Sequence, residues 1–292
     1  MTDCAAKKIL RSAGRIFHGR VIFCAVTASC KRGMDAIGTT RNEINLTTEA
    51  GAKNFILDKK PETVIHCAAY TAVDKAESDA ELALTVNGLG TRWIAEACRE
   101  VGAKMIYIST DYVFGGDGRT PYEVHDEKNP VNVYGRSKLL GEDAVSMILH
   151  RHFIVRVSWV FGVNGKNFVK TMLRLAETKK ILRVVNDQFG SPTYTADLAK
   201  LLADMAATDK FGIYHATNEG GFISWYDFAR EIFAQAGVKM NVIPVSTAEY
   251  GLSKAKRPSN SRLDKTKLRT AGFTPLPDWR DALRRYLANG TD

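Results

Sequence analysis

From about residue 34 onward, short apolar runs alternate with longer stretches in which apolar residues recur at helical spacing. The short runs predict strands at residues 36–39, 63–68, 105–109, 153–157 and 182–185. The stretches between them predict helices at residues 49–58, 76–101, 132–149 and 167–178. Because strands that alternate with helices form βαβ units, we expect a doubly wound α/β fold with a parallel sheet and helices on both faces.

The second half of the chain has a less regular pattern. Six of the eight prolines fall at or after residue 130, which indicates more irregular structure there. Ser224 and Asp227 are spaced as a capping box, which predicts that a helix begins at this point. We therefore expect a Rossmann-type, NAD(P)-binding core in residues 1–165. We expect residues 166–292 to contribute a smaller C-terminal substrate-binding lobe and to return to the core.

The composition excludes several classes of protein. The chain has 292 residues, of which 45% are hydrophobic and 25% are charged, so intrinsic disorder is excluded as its main state. It has no run of about 18 apolar residues, which excludes a membrane-spanning helix. The five cysteines form no Cys-x-x-Cys pair and the six histidines have no metal-binding spacing. We expect no disulfide framework, no metal site and a reducing, cytoplasmic location.

The net charge of +9 is concentrated near the N-terminus, where residues 1–41 hold eight basic and two acidic side chains. A nucleic-acid-binding protein usually spreads its positive charge over a folded face. We therefore expect neither nucleic acid nor a membrane as a partner.

One group of residues has the pattern of a carbonyl-reducing site. A predicted strand ends in Ser109, Thr110 and Asp111, and Tyr134 and Lys138 follow about 24 residues later. Tyrosine and lysine four positions apart share one helix face. A lysine ammonium beside a phenol lowers the pKa of the phenol, which can then give a proton to a carbonyl that is being reduced. The Thr110 hydroxyl can hold that carbonyl oxygen.

Other candidates carry a weaker signal. Tyr250 and Lys254 repeat the spacing but follow no strand that ends in hydroxyls, so we expect them to play no part in the chemistry. Lys256 and Arg257 fit a substrate diphosphate or ordinary surface charge equally well. His66 lies on a predicted buried strand, where we expect a core residue.

Several segments resemble the dTDP-4-dehydrorhamnose reductase family, which belongs to the extended short-chain dehydrogenase/reductases. They are HCAAYTAVDKAE (66–77), STDYVF (109–114), YGRSKLLGE (134–142), RVSWVFG (156–162), NF (167–168), DQFGSPT (187–193) and RPSNSRLD (257–264). The similarity covers about residues 34–290, with the motifs in the family's order. A string of motifs in order is far more specific than any one of them.

The resemblance implies reduction of a nucleotide-linked 4-keto-6-deoxyhexose, with NADPH, or alternatively NADH, as the hydride donor. In the family this reaction makes dTDP-L-rhamnose for cell-wall polysaccharide from its 4-dehydro precursor. Tyr134 would be the general acid, and Lys138 would lower its pKa and hold the nicotinamide ribose. Thr110 would orient the ketone, with Asp111 near the sugar. Trp159 would pack against the sugar or near the nicotinamide, unless it is a plain core residue.

The resemblance also places residues along the cofactor. They are Arg41, Asn45, Leu46, Ala69, Tyr70 and Thr71, together with Tyr134 and Lys138. A basic residue at position 41, just after a predicted strand, suits the 2′-phosphate of NADP. Asn45 stands where the family usually has an aspartate beside the adenine, and an asparagine can still hydrogen-bond a base edge.

The resemblance fails at about residues 11–33, where the family has a Gly-x-x-Gly-x-x-Gly turn followed by a helix. Neither register of this segment supplies three glycines, and the apolar run at residues 21–28 lacks a helical period. Glycines let backbone amides approach a pyrophosphate, so side chains in their place should weaken cofactor binding. Three explanations stay open: compensating frameshifts, a diverged cofactor loop and a targeting peptide.

A non-catalytic function is the main alternative. Proteins that resemble the methionine adenosyltransferase β subunit use this fold as a regulatory or binding subunit. The missing glycines favour this alternative, whereas the intact Thr110, Tyr134 and Lys138 favour the reductase. An epimerase or dehydratase is less favoured, since dehydratases of this type carry an acidic pair after the strand-end threonine and here Asp111 is followed by Tyr112. The oligomeric state stays open, with a homodimer as one option.

Overall fold

The computed structural model describes residues 9–12, 33, 36–251 and 253–289. The strands of this part are β1 (Ile9–Ser12), β2 (Ala36–Gly38), β3 (Thr63–His66), β4 (Lys104–Thr110), β5 (His152–Val157), β6 (Val160–Phe161), β7 (Ile181–Val185), β8 (Phe189–Gly190), β9 (Thr193–Tyr194), β10 (Gly212–His215), β11 (Ile223–Ser224), β12 (Asn241–Val245) and β13 (Asn260–Ser261). Its helices are α1 (Glu49–Lys59), α2 (Val73–Ala76), α3 (Ala80–Leu84), α4 (Gly90–Val101), α5 (Val133–Ile148), α6 (Phe168–Ala176), α7 (Thr195–Ala206), α8 (Trp225–Gln235), α9 (Thr247–Tyr250), α10 (Thr266–Thr270) and α11 (Trp279–Ala288). A π-helical turn spans Thr85–Leu89 and a 3-10 turn spans Asp111–Val113.

Six parallel strands form the main sheet, in the order β10-β5-β4-β3-β1-β2. This confirms the predicted α/β fold. Four of the five predicted strands belong to the main sheet, and the fifth is β7, which pairs with β12 in a separate two-stranded sheet. Because the six strands run in one direction, their carboxyl ends share one edge, where open α/β sheets bind their ligands.

Both faces of the main sheet are buried. On β4, Met105 and Tyr107 face an apolar cluster that includes Ile94, whereas Ile106 faces a second cluster that includes Leu198. Successive side chains of a strand point to opposite faces, so a sheet covered on both sides needs apolar residues at nearly every position. This is why the strands are visible in the sequence as continuous apolar runs.

Capping side chains fix where three helices of the second half and the α5 helix begin. Asn132 and Asn167 accept hydrogen bonds from backbone N–H groups in the first turns of α5 and α6. Ser224 and Asp227 bond reciprocally at the start of α8, which confirms the predicted capping box. Asp278 accepts from the first turn of α11. Each oxygen satisfies an N–H group that the helix itself leaves unpaired.

Residues after 165, together with β6, build small sheets and also complete the main one. β6 pairs with β9, and β8 lies between β11 and β13. Next to these short strands, α6, α8 and α11 enclose a third apolar cluster around Phe228 and Trp279. β10 returns to the main sheet beside β5. Arg285 then ties the last helix to buried Asp197 through two hydrogen bonds of 2.8 and 2.7 Å.

The predicted helical stretch over residues 76–101 is confirmed from residue 80 onward, but residues 77–79 are not helical and the stretch contains a π-helical turn. The chain forms α2 and α3, then the π-helical turn, and only then α4. Asn87 lies in the π-helical turn, and its side-chain amide is buried. The amide oxygen accepts from the N–H of Tyr70 at 2.7 Å, and the amide nitrogen donates to the Tyr70 carbonyl at 3.0 Å and to the Ser137 hydroxyl at 2.8 Å. A π-helical turn adds a residue to a helix and redirects a side chain, here toward the loop that follows β3.

The atypical segment falls largely on residues 13–32 and lies outside the described residues. The strand before it is β1, which pairs with β2 on one side and β3 on the other. Among the described residues, no helix is long and apolar enough to cross a membrane.

Candidate functional site

A cavity of about 340 Å³ opens at the carboxyl ends of β3, β4 and β5. It brings together seven of the residues predicted to act in the site: Ala69, Thr71, Thr110, Asp111, Tyr134, Lys138 and Trp159. They come from three strand ends and one helix, so the sheet edge and α5 together form the walls.

Four predicted cofactor residues do not line this cavity. Arg41 is exposed on the loop after β2, and Asn45 nearby accepts hydrogen bonds from the backbone and hydroxyl of Thr47. Leu46 is a buried core residue. Tyr70 is fully buried, and its hydroxyl donates to Asp79 at 3.1 Å, so its side chain belongs to the core.

The first turn of α5 places Tyr134 in the cavity wall. The Asn132 side chain accepts from the N–H of Gly135 at 2.8 Å and so fixes the start of the helix. Gly135 leaves room for this turn, because a Cβ there would lie 2.2 Å from the carbonyl oxygen of Tyr112. Tyr134 is half-buried, and its ring meets that of Tyr112 edge to face.

Lys138 lies one helical turn further along and is buried. Its Nζ donates to the carbonyl oxygen of Ile108 at 2.6 Å and lies 4.0 Å from the centre of the Tyr107 ring. Burial lowers the pKa of Lys138 to about 7, although the negative charge of Glu142 acts in the opposite direction. The charged and the neutral form of Lys138 are therefore both populated near neutral pH.

The predicted lowering of the Tyr134 pKa is wrong. Burial raises the pKa of Tyr134 well above its ordinary value, and the charge of Asp111 raises it further, while a hydrogen bond with Thr110 partly opposes both. Lys138 makes no such contribution, since its ammonium is directed at Ile108 and Tyr107. Tyr134 thus stays protonated at neutral pH, as a proton donor must.

Thr110 and Asp111 form a short hydrogen-bonded unit at the end of β4. The Thr110 hydroxyl donates to Oδ1 of Asp111 at 2.9 Å and accepts from the N–H of Tyr112 at 3.2 Å. Burial raises the pKa of Asp111 to about 6, so the carboxyl can exchange a proton close to neutral pH.

Three buried hydroxyl groups at this edge of the sheet have no hydrogen-bond partner among the described residues: those of Thr39, Thr71 and Ser109. Thr39 follows β2, Thr71 lies on the loop after β3 and Ser109 is the next-to-last residue of β4, so all three belong to the carboxyl-end edge of the sheet. A buried hydroxyl without a partner loses about 1–3 kcal/mol, which a ligand's polar atoms would restore. This row fits a long polar ligand such as a dinucleotide. Sequence reasoning missed Thr39, although it is the polar residue that ends a predicted strand.

His66 is a core residue, as predicted. It is fully buried, its ring stacks on Tyr107, and its Nε2 lies 3.1 Å from the Thr91 hydroxyl. Burial lowers the pKa of His66 to about 3, so it stays neutral. Among the described residues, no group of three or more histidine, cysteine and acidic side chains could hold a metal ion.

A second cavity, of about 420 Å³, adjoins the first. Phe168, Trp225 and Arg257 line both. Arg257 donates to Asp74 at 2.7 Å and to the Tyr112 hydroxyl at 3.4 Å, so it links α2 to the segment before β13. Sequence reasoning did not place Phe168 and Trp225 in a site, and their only signal was their presence in family-like or capping motifs.

The family model described as RmlD substrate binding domain matches residues 22–291. A dTDP-4-dehydrorhamnose reductase of Mycolicibacterium smegmatis is 41% identical over 98% of this chain and 86% of its own length. The spore coat polysaccharide biosynthesis protein SpsK of Bacillus subtilis is 41% identical over 87% and 89%. The crystal structure of dTDP-4-dehydrorhamnose reductase from Bacillus anthracis, in complex with NADP, superposes with a TM-score of 0.92 at 38% identity, and covers 97% of this chain and 99% of that one.

Proposed function

Because the chain belongs to the dTDP-4-dehydrorhamnose reductase family, we propose that it reduces dTDP-4-dehydro-β-L-rhamnose to dTDP-L-rhamnose with NADPH. The observation that carries the proposal is the cavity in which Thr110, Tyr134 and Lys138 meet at the strand ends. Nothing in the described residues or in these relatives favours the non-catalytic alternative.

In this reaction NADPH supplies a hydride to C4 of the sugar. Negative charge then develops on the ketone oxygen, and the Tyr134 phenol donates its proton there. The raised pKa of Tyr134 keeps that proton in place until the oxygen becomes a stronger base than the phenolate. Lys138 is held at the Ile108 carbonyl one helical turn from Tyr134, from where it would bond the ribose of the nicotinamide half of the cofactor.

Thr110 orients the ketone, and the protonation state of Asp111 determines where the hydrogen of the Thr110 hydroxyl points. A hydroxyl has one hydrogen, and that of Thr110 is directed at Asp111. When Asp111 is protonated, it can donate to Thr110 and release the threonine hydrogen to the ketone oxygen. The pKa of about 6 for Asp111 makes this exchange accessible near neutral pH.

We propose that the cofactor lies along the row of unpaired hydroxyls. Thr71 and Ser109 would bond the half of the cofactor near Lys138, and Thr39 the adenosine half. Arg41 follows Thr39 by two residues and is exposed, so its guanidinium can reach the 2′-phosphate of NADPH.

The second cavity is our proposal for the nucleotide half of the substrate. Arg257 lies where the two cavities meet and Arg183 lines the second, so two guanidinium groups are available to a diphosphate. Asp74 holds Arg257 through the hydrogen bond of 2.7 Å, and Ser253 accepts from the same guanidinium at the same distance.

The test is the oxidation of NADPH by the full chain in the presence of dTDP-4-dehydro-β-L-rhamnose. Tyr134→Phe should lower kcat by at least about 100-fold, the usual contribution of a general acid. Tyr226→Phe removes the same hydroxyl from a residue that lines neither cavity and should change nothing. A wild-type chain that binds both ligands without turning over would refute the proposal. Failure to bind NADPH, measured by calorimetry, would instead show that the atypical N-terminal segment disables the cofactor site.

A further inference from the structure

The backbone of Trp159 is held in a conformation that only glycine adopts freely. Its φ is 49°, in the left-handed region, which costs about 1–3 kcal/mol for such a residue. Neighbouring bonds impose it: the N–H of Thr193 donates to the Trp159 carbonyl at 3.2 Å, and the Thr193 hydroxyl donates to that of Ser158 at 2.6 Å. The Ser158 hydroxyl in turn donates to the Ser191 carbonyl at 2.7 Å. Strain that is over-determined in this way is typical of functional sites.

The position of the Trp159 indole is also restricted, by the residues that pack against it. Trp225 stacks on it with 3.7 Å between ring centroids and 14° between planes. Gly190 approaches it from the backbone of β8, where a Cβ would lie 2.9 Å from Cε2 of the indole. Gly190 is absent from the glycines with positive φ, so what the position requires is space and not a special backbone angle.

A purely structural role does not account for this arrangement. Trp159 and Trp225 are only half-buried, and both line the cavity that holds Tyr134 and Lys138. Fully buried aromatic residues such as Trp279 form the core nearby without left-handed backbone. The left-handed backbone therefore occurs at a tryptophan that lines the cavity and not at one that only fills the core.

We propose that Gly190 and Trp225 are positioning residues for the reduction, which act by holding the Trp159 indole against the sugar half of the substrate. A 6-deoxyhexose has an apolar edge at its methyl group, and an indole offers a large rigid apolar face to it. The fixed indole then presents the ketone to Tyr134. This inference rests on the proposed function and adds the two residues that determine where Trp159 lies.

The first test is Gly190→Ala in the full chain. The new methyl group must displace the indole, so kcat/KM for the sugar nucleotide should fall at least about tenfold while the Kd for NADPH stays unchanged. Gly115→Ala is the matched control, because its Cβ would meet its nearest neighbour at an ordinary 3.5 Å. Circular dichroism distinguishes displacement of the indole from a loss of stability. The exciton couplet of the stacked indoles should weaken in Gly190→Ala and persist in Gly115→Ala.

A second pair of variants keeps the proposal testable if Gly190→Ala does not fold. Trp225→Phe retains a ring for Trp159 to stack on and should keep most of the activity, whereas Trp225→Leu should lose at least about tenfold in kcat/KM. Equal activity of Gly190→Ala, Trp225→Leu and the wild type would overturn the inference, as would loss of activity with an unchanged couplet. A wild type that binds both ligands and does not turn over refutes the proposed function instead, so the two failures are distinguishable.

Discussion

Replacing Lys138 by methionine should stabilise the protein while it abolishes reduction. The side chain is buried, and the folded state lowers its pKa from 10.5 to about 7. Each pKa unit corresponds to about 1.4 kcal/mol, so the fold disfavours the charged form by about 5 kcal/mol, to order of magnitude. Methionine fills a similar volume without a charge, and its unbranched chain adapts to the space left by the ammonium.

The gain in stability should depend on pH with a definite sign. Below about pH 7 both folded and unfolded states carry the Lys138 charge, and the wild type bears the full penalty. Between about pH 7 and 10.5 the folded state is neutral while the unfolded state still binds a proton, so the penalty shrinks as the pH rises. Above 10.5 both states are neutral and the penalty is gone.

The assay is denaturant unfolding of the wild type and Lys138→Met at about pH 6 and about pH 10. Lys254→Met removes the same ammonium from the exposed repeat of the motif and should match the wild type at both values. The reasoning is refuted if Lys138→Met is less stable than the wild type at pH 6, or if its advantage does not diminish toward pH 10.

Three further outcomes are expected. Thr110→Val should lower kcat by about 100- to 1,000-fold with little change in the Kd for NADPH, as for loss of a hydrogen bond to a developing oxyanion; steady-state kinetics and calorimetry separate the two. Arg41→Ala should raise the KM for NADPH about tenfold or more and leave that for NADH unchanged, since the charged hydrogen bond is made only to the 2′-phosphate. Glu142→Gln should lower the free energy of unfolding by about 3–5 kcal/mol, because the equally buried Arg156 would face a neutral amide with one acceptor in place of the carboxylate that accepts its hydrogen bonds at 2.8 and 2.7 Å. Unfolding curves of Glu142→Gln that overlay those of the wild type would contradict the last of these.

The strands of the main sheet could be predicted because burial on both faces requires a continuous run of apolar residues, which is visible in the local sequence. Met105 and Ile106 face opposite cores, and both must be apolar. The π-helical turn within residues 76–101 could not be predicted, because its cause is tertiary. The Asn87 side-chain amide forms hydrogen bonds with Tyr70 and Ser137, which are far away in sequence. Apolar spacing continues through the π-helical turn and gives no sign of it.

The candidate site divides in the same way. Two local sequence motifs contain Thr110, Tyr134 and Lys138, and their order along the chain predicts that the three side chains share one site. The pair of Asp74 and Arg257 spans 183 positions, and only the fold brings the two side chains to the meeting point of the cavities. The pKa of Tyr134 was predicted in the wrong direction because the spacing to Lys138 is local, whereas the burial that raises the pKa and the carbonyl that receives the ammonium are not.

The return of β10 to the main sheet means that one strand edge stays unpaired while the chain is being synthesised. β5 is synthesised first, and its outer edge stays without a neighbour until residues 212–215 have followed. An open edge of this kind is a template for pairing with another nascent chain. A chain that stopped near residue 165 would keep the edge of Phe153 and Val155 uncovered, so premature termination should yield aggregates and not a smaller nucleotide-binding protein.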